Sequence, residues 1–158
     1  MQATLSERDL IQLAINKEKN SFALYSRAAV QAGSEKVKKV FNRIARDELV
    51  HLFILLSRFE RIYPELCNDV NIIMPIPEAA EVTRLAAVNK SAEALQSAIR
   101  EEQQSLQFYL QMANMVEDER AMIALQRIIH EETHHIKALI SLGHVESDEA
   151  TLEEKRIH

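Results

Sequence analysis

The sequence predicts an all-α fold: a four-helix bundle made of two antiparallel hairpins joined by a long crossover. Three observations carry this. Only two glycines and three prolines occur among 158 residues, so turns are few and mostly helical structure follows. Apolar residues recur at alternating spacings of three and four along four long stretches, as in helices that bury one stripe. Residues 14–55 also match residues 98–139 without a gap, at an offset of 84 (18 to 102), with 12 of 42 positions identical. Solenoids need three or more copies of a shorter unit, whereas two copies of a helical hairpin make a bundle.

The first helix is predicted over about 5–32, with Ser6 as its cap and Gly33 ending it in a left-handed turn. Ser34 can cap the second, which runs to about Tyr63, where Pro64 stops it. A turn this short makes the two helices antiparallel. The segment 64–90 is the crossover, with Pro64, Pro75 and Pro77 around an apolar stretch and a short helix at about 78–88. It is long enough to travel the length of helices about 40 Å long. The third helix is predicted from about Ser91 to Val116. The fourth follows Asp118 as its cap and ends at Gly143, closing a domain over 1–143. The charged tail 144–158 either frays or forms a short last helix capped by Ser147.

The net charge of −5 argues against a nucleic-acid partner, which would want basic patches. Cys67 is the single cysteine, so neither a disulfide framework nor a thiolate zinc site forms. This suits a reducing cytoplasm. The first residues lack the layout of a signal peptide, and no apolar run reaches membrane-spanning length. The expectation is a soluble cytoplasmic protein with no membrane partner.

Each predicted seam is interrupted near its middle by a glutamate. The first helix aligns Ile11, Ile15, Glu18, Phe22, Tyr25 and Ala29. The second aligns Phe41, Ile44, Glu48, His51 and Leu55. The third aligns Ile99, Glu102, Leu106 and Tyr109, and the fourth Leu125, Ile128, Glu132, His135 and Leu139. Burying one ionised carboxylate without a partner is costly, and four at one level repel. Two divalent cations neutralise four carboxylates. Each Glu-x-x-His pair puts two donors on one helix face, one turn apart. One Glu from each of two helices and Glu-x-x-His from each of the other two is the donor set of dinuclear carboxylate bundles. The metal ligands predicted are therefore Glu18, Glu48, His51, Glu102, Glu132 and His135, with Glu18 and Glu102 expected to bridge the two ions.

Glu131 and His134 also have Glu-x-x-His spacing but fall off the seam, and their counterparts Asp47 and Val50 form no such pair. His130 and His134 are expected on the solvated flank. Asp47 and Glu131 either hold the outer nitrogens of His135 and His51 across the bundle or are ordinary exposed acids. Tyr25 and Tyr109 either hydrogen-bond a ligand carboxylate, donate an electron as redox residues, or are core tyrosines with satisfied hydroxyls. Ser21 and Ser105 make room for the site, and Cys67 is a bystander.

Residues 8–142 resemble the ferritin-like superfamily, most closely the rubrerythrin-type di-iron domain. The resemblance is carried by Glu18, Glu48 with His51, Glu102 and Glu132 with His135, in that order, and by the long crossover. It implies two iron ions, with manganese suited by the same ligand types. It also implies an oxidoreductase of peroxidase or ferroxidase type, acting with hydrogen peroxide or dioxygen under oxidative stress. The four-cysteine rubredoxin module of rubrerythrins is not matched, so electrons are expected from a separate donor protein. Rubrerythrins also carry an extra glutamate three residues after the third-helix ligand, where Ser105 stands here. The six remaining donors, and Tyr25 seven residues after Glu18, resemble the simpler bacterioferritin ferroxidase set. A non-enzymatic iron carrier, buffer or sensor is the alternative, and an interaction module with a metal staple a third. A homodimer or higher homo-oligomer is expected, with hairpins open to exchange across the crossover. Ile72, Ile73, Met74 and Ile76 would form the docking patch there, or fold back on the bundle.

Overall fold

A computed structural model describes residues 5–68 and 74–154, with 68 and 144–154 through the backbone alone. Six helices follow in order: α1 Glu7–Gln31, α2 Glu35–Phe59, α3 Pro64–Asn68, α4 Ala79–Ala86, α5 Ala92–Ala113 and α6 Glu119–Glu154. The predicted four-helix bundle is present, as α1, α2, α5 and α6. Each hairpin packs on itself, and α2 packs directly on α6.

The caps follow from local chemistry. Ser6 and Asp9 form a reciprocal capping box at the start of α1, which satisfies backbone donors that the helix leaves unpaired. Asp118 accepts from the Ala121 amide at 2.7 Å, and Ser91 accepts from Ala94 at 3.2 Å. Ser34 precedes α2 but makes no side-chain cap bond.

Three predicted boundaries differ. Gly33 does not adopt a left-handed turn: no described residue has positive φ, and α1 ends through Ala32 in extended geometry. Pro64 opens α3 rather than simply stopping α2, a position that suits proline because no amide is needed there. Finally, α6 does not end at Gly143 but continues to Glu154, so no separate helix starts at Ser147. Gly143 has a packing reason instead, since a Cβ there would lie 2.6 Å from Leu95 Cδ2.

Two apolar clusters fill the bundle. One gathers Tyr25, Phe41, Ile44, Ile99 and Leu139 with Val82 and Leu85 of α4. The other gathers Ile11, Ile15, Leu52, Phe59, Tyr109, Leu125 and Ile128 with Leu66 of α3. The crossover thus docks at both ends of its path, with Met74 packed against the second cluster. Ile76 is 82% exposed, and Ile72 and Ile73 lie outside the described residues. Among the described residues no helix is long and apolar enough to cross a membrane.

Candidate metal centre

Between the two apolar clusters lies a polar layer. Glu18 comes from α1, Glu48 and His51 from α2, Glu102 from α5, and Glu132 and His135 from α6. All six are buried, none more than 4% exposed. The seam spacing explains this, because each donor replaces an apolar residue on a stripe that must face inward.

The donors form two overlapping groups of four, Glu18, Glu48, His51 and Glu132, and Glu48, Glu102, Glu132 and His135, each with ligand atoms within 4.8 Å of one another. His51 Nδ1 lies 3.0 Å from Glu48, 3.5 Å from Glu18 and 3.7 Å from Glu132. His135 Nδ1 lies 3.4 Å from Glu102, 3.7 Å from Glu48 and 3.8 Å from Glu132. The shared carboxylates are therefore Glu48 and Glu132. This corrects the expectation that Glu18 and Glu102 bridge. The close packing of α2 on α6 brings the Glu-x-x-His helices to the middle of the layer, which places Glu18 and Glu102 at its ends.

The outer contacts fix the donors. Glu131 reaches His51 Nε2 at 2.7 Å, and Asp47 lies 3.4 Å from His135 Nε2 without hydrogen-bond alignment. The cross-bundle hydrogen bond is therefore formed by Glu131, whereas Asp47 comes near His135 without making one. Arg127 holds Glu131 at 3.2 Å, and Arg43 approaches Asp47 at 3.8 Å. These two arginines had no predicted role, although they are identical across the repeat and sit four residues before the acids they touch. The Tyr25 hydroxyl donates to Glu102 and the Tyr109 hydroxyl to Glu18, so each tyrosine orients the carboxylate of the facing hairpin. Ser105 is buried and adds no carboxylate. His134 is exposed, its Nδ1 against the His130 carbonyl oxygen at 2.8 Å. Cys67 is partly buried, outside the donor cluster.

The electrostatics favour cations. Burial pushes Glu48 well above the usual carboxylate range, and the charges of Glu18 and Glu132 act in the same direction. Burial also raises Glu132, to about 7, helped by Glu102 and Glu18 against the pull of His135. At His135 burial favours the neutral ring, but Glu102 and Glu132 overcome it and lift the imidazole to about 10. The raised His135 imidazole lies 3.4 Å from Glu102 and 3.8 Å from Glu132 and offsets part of their charge. Glu18 Oε2, Glu102 Oε2, both Glu132 oxygens and His135 Nδ1 are buried without hydrogen-bond partners. Orphaned acceptors at this depth are rare, and carboxylate with imidazole suits iron or manganese. The residues fit a metal of that kind.

Fold and donor set together define a ferritin-like helical bundle with a buried carboxylate and histidine cluster able to hold metal. The chain belongs to the rubrerythrin family, whose model matches residues 9–142. It is 28% identical over 125 residues to the uncharacterized protein YhjR of Bacillus subtilis (strain 168), spanning 79% of this chain and 78% of that one. It shares its fold with a hypothetical protein from Pyrococcus furiosus, at a TM-score of 0.74 and 21% identity over 93% of this chain and 94% of the other.

Proposed function

We propose that this protein is a di-iron carboxylate oxidoreductase that reduces hydrogen peroxide or dioxygen and is returned to its ferrous state by a separate electron-donor protein. The observation that carries the reading is the pair of overlapping four-donor groups, buried and rich in unpartnered acceptors. Bound iron supplies one electron per ion, so two ions match the two-electron reduction of peroxide to water. The chain's own residues set the conditions. Glu48 and Glu132 would serve both ions, and His51 and His135 one each. Glu131 accepting the His51 Nε2 hydrogen leaves Nδ1 as the free donor atom. Tyr25 and Tyr109 keep their protons, since burial and the adjacent carboxylates Glu102 and Glu18 push both hydroxyls well above their ordinary range. They act here as hydrogen-bond donors that orient Glu102 and Glu18. The apolar clusters on either side exclude bulk water. These 158 residues hold one cysteine, so they build no four-thiolate iron site themselves.

The test is anaerobic reconstitution with Fe(II), a metal count, and pulses of hydrogen peroxide or dioxygen followed by ferric absorbance and re-reduction. Two irons per chain with rapid repeated turnover support the enzyme. Two irons with one slow oxidation refute it and favour a carrier. Fewer than about one metal per chain removes the site.

A further inference from the structure

The crossover segment 75–78, α4 and the flanks of α1 and α5 surround a cavity of about 610 Å³. Tyr25 and Glu102, 3% and 4% exposed, form part of its lining. Its other lining residues include Glu78, Glu81 and Glu101, with Lys17 the one basic residue among the described ones. Glu102 therefore belongs to the cavity and to the metal cluster at once, and its Oε2 is buried without a hydrogen-bond partner. Their two-fold counterparts are placed otherwise: Glu18 and Tyr109 do not line this cavity.

We infer that this cavity is the route by which a divalent cation reaches the centre, with Glu78 and Glu81 drawing the ion in and Glu102 receiving it. The inference rests on the metal-binding reading above. Its physical basis is focusing: a cleft lined by one sign of charge raises the local counter-ion concentration and speeds association by about 10- to 1,000-fold. Glu101 contributes less, because Arg84 lies 3.1 Å from it and does not line the cavity. Glu78 and Glu81 enter no ion pair among the described residues. Glu78 stands just before α4 and makes no side-chain cap bond, so neutralising it leaves the helix start intact.

The experiment mixes the metal-free full chain with Co(II) and follows the cobalt ligand-field bands by stopped flow. The double variant Glu78→Gln and Glu81→Gln is compared with Glu35→Gln and Glu60→Gln, which removes the same charge from exposed sites on or beside α2. At low ionic strength the cavity variant is expected to associate about tenfold more slowly, the control within about twofold, and the gap to close at high salt. Both are expected to reach the cobalt content of the native chain. Equal rates in the two variants at full cobalt content overturn the route while leaving the site intact. A native chain that binds no cobalt overturns the site and the route together. If the double variant fails to fold, Glu78→Lys alone gives the same readout.

Discussion

His51 and Glu131 stand 80 positions apart and meet at 2.7 Å, and the sequence carries the reason. Each half repeats an acid one position before its ligand glutamate, so a two-fold arrangement sends each acid to the opposite histidine. The same repeat preferred Glu132 and His135 to their neighbours Glu131 and His134, and the structure brings those two together with the other four donors. Periodicity could not tell which carboxylates are shared. It assigns a residue to a face, whereas sharing depends on how closely two helices approach. Because α2 and α6 approach closely, the central carboxylates are Glu48 and Glu132. This assignment predicts unequal losses. Glu48→Ala is expected to bring metal content from about two ions per chain to less than one, since both positions lose a ligand. Glu18→Ala is expected to retain about one, held by Glu48, Glu102, Glu132 and His135. Metal analysis after anaerobic loading with Fe(II) reads the difference, and equal losses in the two variants would return the bridging role to the single glutamates.

At the scale of the element, long helices were legible and their ends less so. Seam periodicity placed α1, α2, α5 and α6 because an amphipathic stripe twenty or more residues long has no other use. The ends depend on single contacts. Gly143 reads as a stop signal, yet an interior glycine costs only about 1 kcal/mol relative to alanine, and close approach to Leu95 gives it a use within α6. Ser34 reads as a cap, yet its hydroxyl is unused. Asp118 reads as a cap and is one, bonding Ala121 at 2.7 Å and setting its charge at the positive end of the α6 dipole. Asp118→Ala is expected to lower stability by about 1 kcal/mol, read as a drop in denaturant midpoint, with metal content unchanged. A variant as stable as the native chain would show that packing alone fixes the start of α6.

Across the whole molecule, a charged layer divides the hydrophobic core into two clusters. The fold tolerates that layer either by binding cations or by binding protons, and the two answers respond oppositely to pH. In the metal-free protein Glu132 rises from 4.5 to about 7 and His135 from 6.5 to about 10. Both groups hold their protons more tightly folded than unfolded. Their contribution to stability is therefore complete below 4.5 and 6.5 respectively, and is lost as pH climbs through 7 and then towards 10. The metal-free chain is expected to melt at a lower temperature at pH 8 than at pH 6. A cation requires the same groups deprotonated, so its binding releases protons and tightens as pH rises. For each ion bound, manganese(II) at about one hundred times its dissociation constant should add roughly 2.7 kcal/mol, or roughly 5–10 °C of melting temperature at this chain length. At a fixed manganese concentration the increment should be larger at pH 8 than at pH 6. Paired melts with and without manganese at the two pH values decide it. If manganese raises the melting temperature more at pH 6, the cluster is not exchanging protons for metal, and the buried carboxylates need another explanation.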